Sequence, residues 1–216
     1  TEMTDWYRRK TWTKTDEEEF FAKLGRARKD GRAQYLKIQA IELIYTKEKK
    51  LVNVAEELLN KVLREYPENR IEKSPCYNFL GQIYELRNDA EMAICFYKKS
   101  LDYEKEFPNV ITSSYLDFSK IVIQEGKTES YNEVEKILIE KIENESISFP
   151  VQNYIMYSIL AIISEFKGNS EQAGSFAEIA EKNSKAEKNS LWNQKKKKIG
   201  IVENRINWLD KLVGRK

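Results

Sequence analysis

YNFLGQIYELRNDAEMAICFYKKSL, residues 77–101, holds two helical runs separated by Asn88-Asp89. On the first, Tyr77, Leu80, Gly81 and Tyr84 recur at steps of three, one and three. On the second, Ala93, Tyr97 and Leu101 recur at steps of four, so each run presents a single apolar face. Two antiparallel helices that cross closely need a small residue where they touch and large residues beside it to fill the holes. Gly81 and Ala93 are the small pair; Tyr77, Leu80, Tyr84 and Tyr97 are the fillers. The segment is expected to be one helix hairpin, with side chains left over to reach a neighbouring one.

Neighbours of the same kind follow along the chain. Tyr77, Tyr115 and Tyr157 stand 38 and 42 residues apart, and Leu80, Phe118 and Leu160 keep the same intervals. On the second helices the series is Ala55, Ala93, Val134 and Ala173, at intervals of 38, 41 and 39. Pro67, Pro108 and Pro150 punctuate successive units. Before the first full match, TKTDEEEF reads as a helix start, with Thr15 and Glu18 at capping-box spacing and Asp16 to Glu19 at the positive end of the dipole. A second helix is expected from Arg32 to Tyr45, and a third over LVNVAEELLNKVLREYP, stopped by Pro67. A last helix is expected over 187–213, where Ile199, Val202, Ile206, Leu209 and Leu212 repeat at three and four.

This grammar resembles the tetratricopeptide repeat family. The match is best at residues 74–107 (Tyr77, Leu80, Gly81, Tyr84, Ala93, Tyr97, Leu101). A second unit, about 154–187, keeps Tyr157, Leu160, Ala161, Gly168, Ala173 and Ala180. A third, about 112–148, keeps Tyr115, Phe118 and Gly126, but has Val134 after a turn three residues longer. The first, about 32–69, keeps Ala55, Leu59, Leu63 and Pro67. The family repeat is 34 residues long, so intervals of 38 to 42 require extended loops or helices. HEAT and armadillo arrays have periods in this range and are the alternative within the fold class. The resemblance implies an all-α, right-handed solenoid of about four stacked hairpins over 32–186. Residues 1–31 would be an N-terminal arm and capping helix and 187–216 a C-terminal capping helix and basic tail, all in one structural domain.

Composition narrows the chemistry. The 216 residues are 41% hydrophobic and 33% charged, with eight Gly and four Pro, which favours helices over a turn-rich β fold. There is no histidine. That removes imidazole bases, Ser-His and Cys-His nucleophiles and every His-containing zinc site, so a non-enzymatic protein is expected. Phosphate loops, dinucleotide turns and CxxC pairs are missing too, and no cofactor or metal is expected. Cys76 and Cys95 are expected to be reduced, partly buried thiols. With no apolar run of spanning length and no signal-peptide stretch at its N-terminus, the chain is expected in the cytoplasm, with no membrane partner.

Charge is uneven. Residues 1–35 carry nine basic against seven acidic groups (+2), 36–183 carry 18 against 25 (−7), and 184–216 carry ten against three (+7). An acidic body with basic ends does not describe an ordinary nucleic-acid domain. All four tryptophans lie near the ends: Trp6, Trp12, Trp192 and Trp208. The general need of a stack for sealed end faces assigns them to capping; the sharper alternative is a docking arm or a nucleic-acid contact through WYRRKTW. The KKKK run at 195–198 would spread around a helix and reads as a solvated face. DEEE, 16–19, needs no cation to explain it.

In tetratricopeptide arrays the first helices of the hairpins line a groove that receives peptides or partner helices. Carried over, the resemblance places groove positions at Asn78, Gln82 and Glu85, at Leu116, Lys120 and Ile123, and at Ser158, Ile162 and Glu165. Asn78, Gln82 and Asp117 do not reproduce the family's chaperone-tail clamp. The expected function is a protein–protein interaction module, a scaffold, adaptor, or immunity or regulatory protein; the alternative is a nucleic-acid-associated protein using its basic terminal segments.

Overall fold

In the computed structural model, which describes residues 5–144, 148–189 and 198–214, the first helix, α1 (Lys14–Arg26), begins two residues earlier than expected. Thr13, not Thr15, is the N-cap. Its hydroxyl accepts from the Asp16 N–H at 3.1 Å, and Asp16 Oδ2 accepts from the Thr13 N–H at 2.8 Å. Asp16 also takes a hydrogen bond from Arg9 Nη1 at 2.7 Å, a closer cation contact than the 3.9 Å between Glu18 and Lys14, and this favours the earlier register. All regular structure among the described residues is helical, with ten α-helices and two short 3-10 turns.

The chain divides into two compact units, Thr1–Ser114 and Tyr115–Lys216. In the first, α2 (Arg32–Tyr45) pairs with α3 (Lys49–Glu65), and α4 (Arg70–Leu86) pairs with α5 (Ala90–Glu106); α3 and α2 also pack on α4. Phe20, Leu36, Leu43, Ala55, Leu59 and Leu80 are among the side chains that close the core. In the second unit, α6 (Ser114–Gln124) is followed by α7 (Tyr131–Asn144), α8 (Pro150–Phe166), α9 (Ser170–Ser184) and α10 (Asn207–Leu212). There α7, α9 and α10 all pack on α8.

Within 77–101 the crossing is tighter than two small residues facing each other. Gly81 lies against the Tyr97 ring: a Cβ at Gly81 would stand 2.4 Å from Tyr97 Cε1. Ala93 and Tyr97 are fully buried, and the Tyr97 hydroxyl donates to Glu85. The glycine admits a ring, and that ring fills the hairpin.

Helix ends repeat at the intervals of the hairpins. The first helix of each hairpin is followed by a residue with left-handed backbone: Lys47 (φ 58°), Asn88 (φ 57°), Gly126 (φ 62°) and Gly168 (φ 76°). They are spaced by 41, 38 and 42 residues. After three of them the next N–H reaches back five residues, as Asp89 to Tyr84 O, Lys127 to Val122 O and Asn169 to Ser164 O, at 2.9 to 3.0 Å. That is the Schellman closure, and it satisfies carbonyls the helix leaves open. In the third hairpin the three extra residues, Thr128–Ser130, form a 3-10 turn between α6 and α7. The long period has a second source: α4 starts at Arg70 and runs through Pro75, with Ile71, whose carbonyl loses its helical donor there, exposed to water. Pro150 opens a helix instead of closing a unit, standing at the first position of α8, where its missing N–H is harmless.

Of the C-terminal helix expected over 187–213, the described residues show Asn207–Leu212 as helix and 198–206 as non-helical. Residues 198–206 form a turn and an irregular strap, because tertiary contacts override the periodicity. Gly200 takes φ 78°, and its carbonyl accepts the Val151 N–H at 2.8 Å, occupying one of the open donors at the start of α8. Leu209 is fully buried, while Ile199 and Leu212 are half exposed. Trp192 and Lys195 to Lys197 lie outside the described residues.

Candidate functional site

The nine positions assigned to a groove divide by burial. Asn78, Leu116, Ile123 and Ser158 are buried; Gln82, Lys120 and Ile162 are half-buried; Glu85 and Glu165 are exposed. Asn78 Nδ2 donates to Ser114 Oγ at 2.9 Å, and Gln82 Nε2 donates to Asn78 Oδ1 at 3.2 Å. Asn78 thus joins a polar cluster at the end of the first unit. Glu104 Oε1 accepts from Thr112 Oγ1 at 2.6 Å, from the Thr112 N–H at 2.9 Å and from Ser74 Oγ at 2.9 Å, and Ser74 and Ser100 hydroxyls lie 2.9 Å apart. The cluster pins the 107–113 connection to α4 and α5. In the second unit Lys120 Nζ pairs with Asp117 Oδ1 at 2.9 Å, and Glu165 Oε1 accepts from Ser170 Oγ at 3.3 Å. Gln82, Glu85, Lys120, Ile162 and Glu165 are therefore the groove positions with surface to offer.

The aromatic N-terminus folds back on its own unit. Trp6 lies 5.3 Å from Phe20 and 5.1 Å from Tyr35, and Trp12 lies 5.3 Å from Phe20, centroid to centroid. Gln39, fully buried on α2, grips the arm through the backbone of one residue: its Nε2 donates to Arg9 O at 2.7 Å and its Oε1 accepts the Arg9 N–H at 2.9 Å. Nothing in the apolar periodicity of α2 marks this glutamine, though a polar residue on the helix's inward face was the available signal.

The arginines near both ends are tied to carboxylates. Arg8 pairs with Glu42 at 2.8 Å, and Arg9 with Asp16 at 2.7 Å and Glu19 at 2.6 Å. Arg205 meets Glu181 at 2.8 Å and Asp210 at 2.7 Å, with its guanidinium held firmly charged by both. These partners set the acid equilibria. Hydrogen bonds from the Thr13 backbone, Thr11, Thr13 and Arg9 bring Asp16 down to about 2, and Arg205 with Lys185 brings Glu181 to about 2. Burial opposes ionisation of Glu56, but hydrogen bonds from Arg87 and Tyr84 more than offset it and hold its carboxyl low. The carboxyls of Asp16, Glu56, Glu65 and Glu181 all move down, away from a proton donor's range at neutral pH. Cys76 is buried and its thiol is pushed far up by desolvation and by Glu72, the opposite of a reactive thiolate; both cysteines are free.

Two clefts open on the first unit. One, about 400 Å³, lies between α1 and α3 with Trp12 and Phe21 in its wall. The other, about 450 Å³, lies at the hairpin tips with Lys47, Lys49, Leu86 and Arg87. Among the described residues no group of three or more Asp, Glu or Cys is placed to hold a metal ion, and no helix is long and apolar enough to cross a membrane. No family model, curated protein or solved structure matches this chain.

Proposed function

We propose that this chain is a tetratricopeptide-like α-solenoid of helix hairpins that binds a segment of a protein partner and performs no catalysis. The observation that carries the reading is the fourfold recurrence of one hairpin end, at Lys47, Asn88, Gly126 and Gly168, whose last two intervals, 38 and 42, are those of the Tyr and Leu positions of the first helices. Repetition of one unit places equivalent side chains in register, and such rows are what repeat proteins use to hold extended partners. Gln82, Glu85, Lys120, Ile162 and Glu165 are the members of those rows that keep open surface, with two acids and one lysine among them. Carboxyls held low and the missing histidine speak for binding over catalysis. A cytoplasmic setting agrees with two free cysteines. The nucleic-acid alternative is weakened by the engagement of Arg8, Arg9 and Arg205 with carboxylates.

The test is retention of proteins from the native lysate on the tagged chain, compared with a Gln82→Arg/Glu85→Lys/Glu165→Lys variant of unchanged circular dichroism. A protein retained by the wild type at moderate salt and lost by the variant is expected. Equal retention by both, or nucleic acid held only at low salt, overturns the groove reading.

A further inference from the structure

The cleft between α1 and α3 has a composition that the hairpin packing does not need. Val54, Glu57, Leu58 and Lys61 fall on one face of α3, at steps of three, one and three, and face Trp12, Glu17 and Phe21. Trp12 is already anchored on Phe20, yet part of its surface stays open. The cleft's volume of about 400 Å³ is that of a site for a side chain and its flanking residues.

Its charges decide what fits. Lys61 Nζ lies 2.7 Å from Glu65 and an Arg64 nitrogen 3.6 Å from the same carboxylate, so the two basic groups of the rim share one acid. No ion pair reaches Glu17 or Glu57 among the described residues. Counting Glu65, three carboxylates stand against two cations, so the net charge at the cleft is −1. Its rings add to this: the face of an aromatic ring attracts cations, and Lys61 Nζ already stands 5.5 Å from the Phe21 centroid. The half-buried Val54 and Phe21 supply apolar surface along which a long aliphatic stem can lie.

We infer that this cleft is a second docking site, which takes a basic side chain presented by a protein partner. Arginine fits it best, since a planar guanidinium can stack on Trp12 while its edge donates to Glu57 or Glu17. The site uses none of the groove positions, so either reading can fail while the other stands.

The probe is the tripeptide acetyl-Leu-Arg-Leu-amide, titrated into the ¹⁵N-labelled full chain. The indole N–H signal of Trp12, assigned by its loss in Trp12→Phe, is followed. A saturating shift is expected with this peptide, and none with its citrulline counterpart, which keeps the shape and drops the charge. Glu17→Gln and Glu57→Gln, both at exposed positions, should each weaken binding about two- to fivefold. Lys61→Ala should strengthen it by a similar factor, because the resident ammonium competes for the same ring. Equal shifts with the citrulline peptide, an unmoved Trp12 signal, or weaker binding by Lys61→Ala would each overturn the assignment.

Discussion

Replacing Gly81 by alanine adds one methyl group to α4, and the structure determines the sign of its effect. The new Cβ would stand 2.4 Å from Tyr97 Cε1 and 2.5 Å from Cδ1, where ordinary contacts begin at 3.4 Å. Helix or ring must therefore give by roughly 1 Å, the difference between those distances. The ring has little room, being fully buried with its hydroxyl bonded to Glu85. Overpacking of this kind costs about 1–3 kcal/mol. Alanine's helix propensity returns about 0.8–1.0 kcal/mol. The expected net is a destabilisation of up to about 2 kcal/mol, the difference of those two effects. Gly25→Ala in α1 is the control, since its Cβ meets nothing within 4 Å and should be neutral or stabilising by up to about 1 kcal/mol. Urea unfolding followed by far-ultraviolet circular dichroism reads both. A further variant isolates the cause: in a Tyr97→Ala background the clash is gone, and Gly81→Ala should turn stabilising. If Gly81→Ala behaves like Gly25→Ala in the wild type, or keeps its penalty without the ring, the close-crossing argument is wrong.

The left-handed Lys47 makes the opposite substitution favourable: Lys47→Gly should raise stability by about 1 kcal/mol, and Gly168→Ala should lower it by about 1–2 kcal/mol, both read from urea midpoints. Gln39→Ala leaves the half-buried N–H and C=O of Arg9 without their side-chain partner, so a loss of about 1–3 kcal/mol, that of two hydrogen bonds, is expected, with faster amide exchange along the arm, and an unchanged exchange pattern would contradict it. Asp16, held at about 2 in the folded chain, sits below an unfolded value near 3.9. Its contribution is complete above about pH 4 and disappears as pH falls through about 2. The stability gap between wild type and Asp16→Ala should therefore narrow over that interval, and a gap constant down to pH 2 would refute it.

Much of the hairpin architecture is legible in the sequence because it depends on short-range rules. Small residues, aromatic fillers and the breaks between them sit within one or two turns of each other, so the bounds of α2 and the insertion at 128–130 follow from spacing alone. The start of α1 was missed by two residues because its register is favoured by Arg9, which is outside the helix. The strap was missed for a longer-range reason. Ile199, Val202 and Ile206 keep helical spacing, but Gly200 caps the start of α8, about 50 residues earlier, and a left-handed glycine in that contact excludes a continuous helix. Periodicity records what a segment could do in isolation, and tertiary hydrogen bonds choose among the options.

The candidate groove illustrates the same limit on function. A repeat resemblance identifies which helical positions share a face, but the burial of each depends on what the next segment of chain brings. Asn78 has the polarity expected of a ligand-facing residue, yet Ser114 and Gln82 engage its amide. Those bonds belong to the cluster that fixes the 107–113 connection, so polar character at this position serves folding. An asparagine placed there to bind a partner would have to give up its bond to Ser114, leaving that buried hydroxyl to find another partner at a cost of about 1–3 kcal/mol. Glu165, whose partner is the exposed Ser170 hydroxyl, escapes this penalty, whereas Glu85 holds the hydroxyl of the buried Tyr97. A binding role assigned to Glu165 is thus energetically cheaper than one assigned to Asn78 or Glu85, which is why charge reversal at Glu165, and not truncation of the buried amide, separates recognition from stability in this fold.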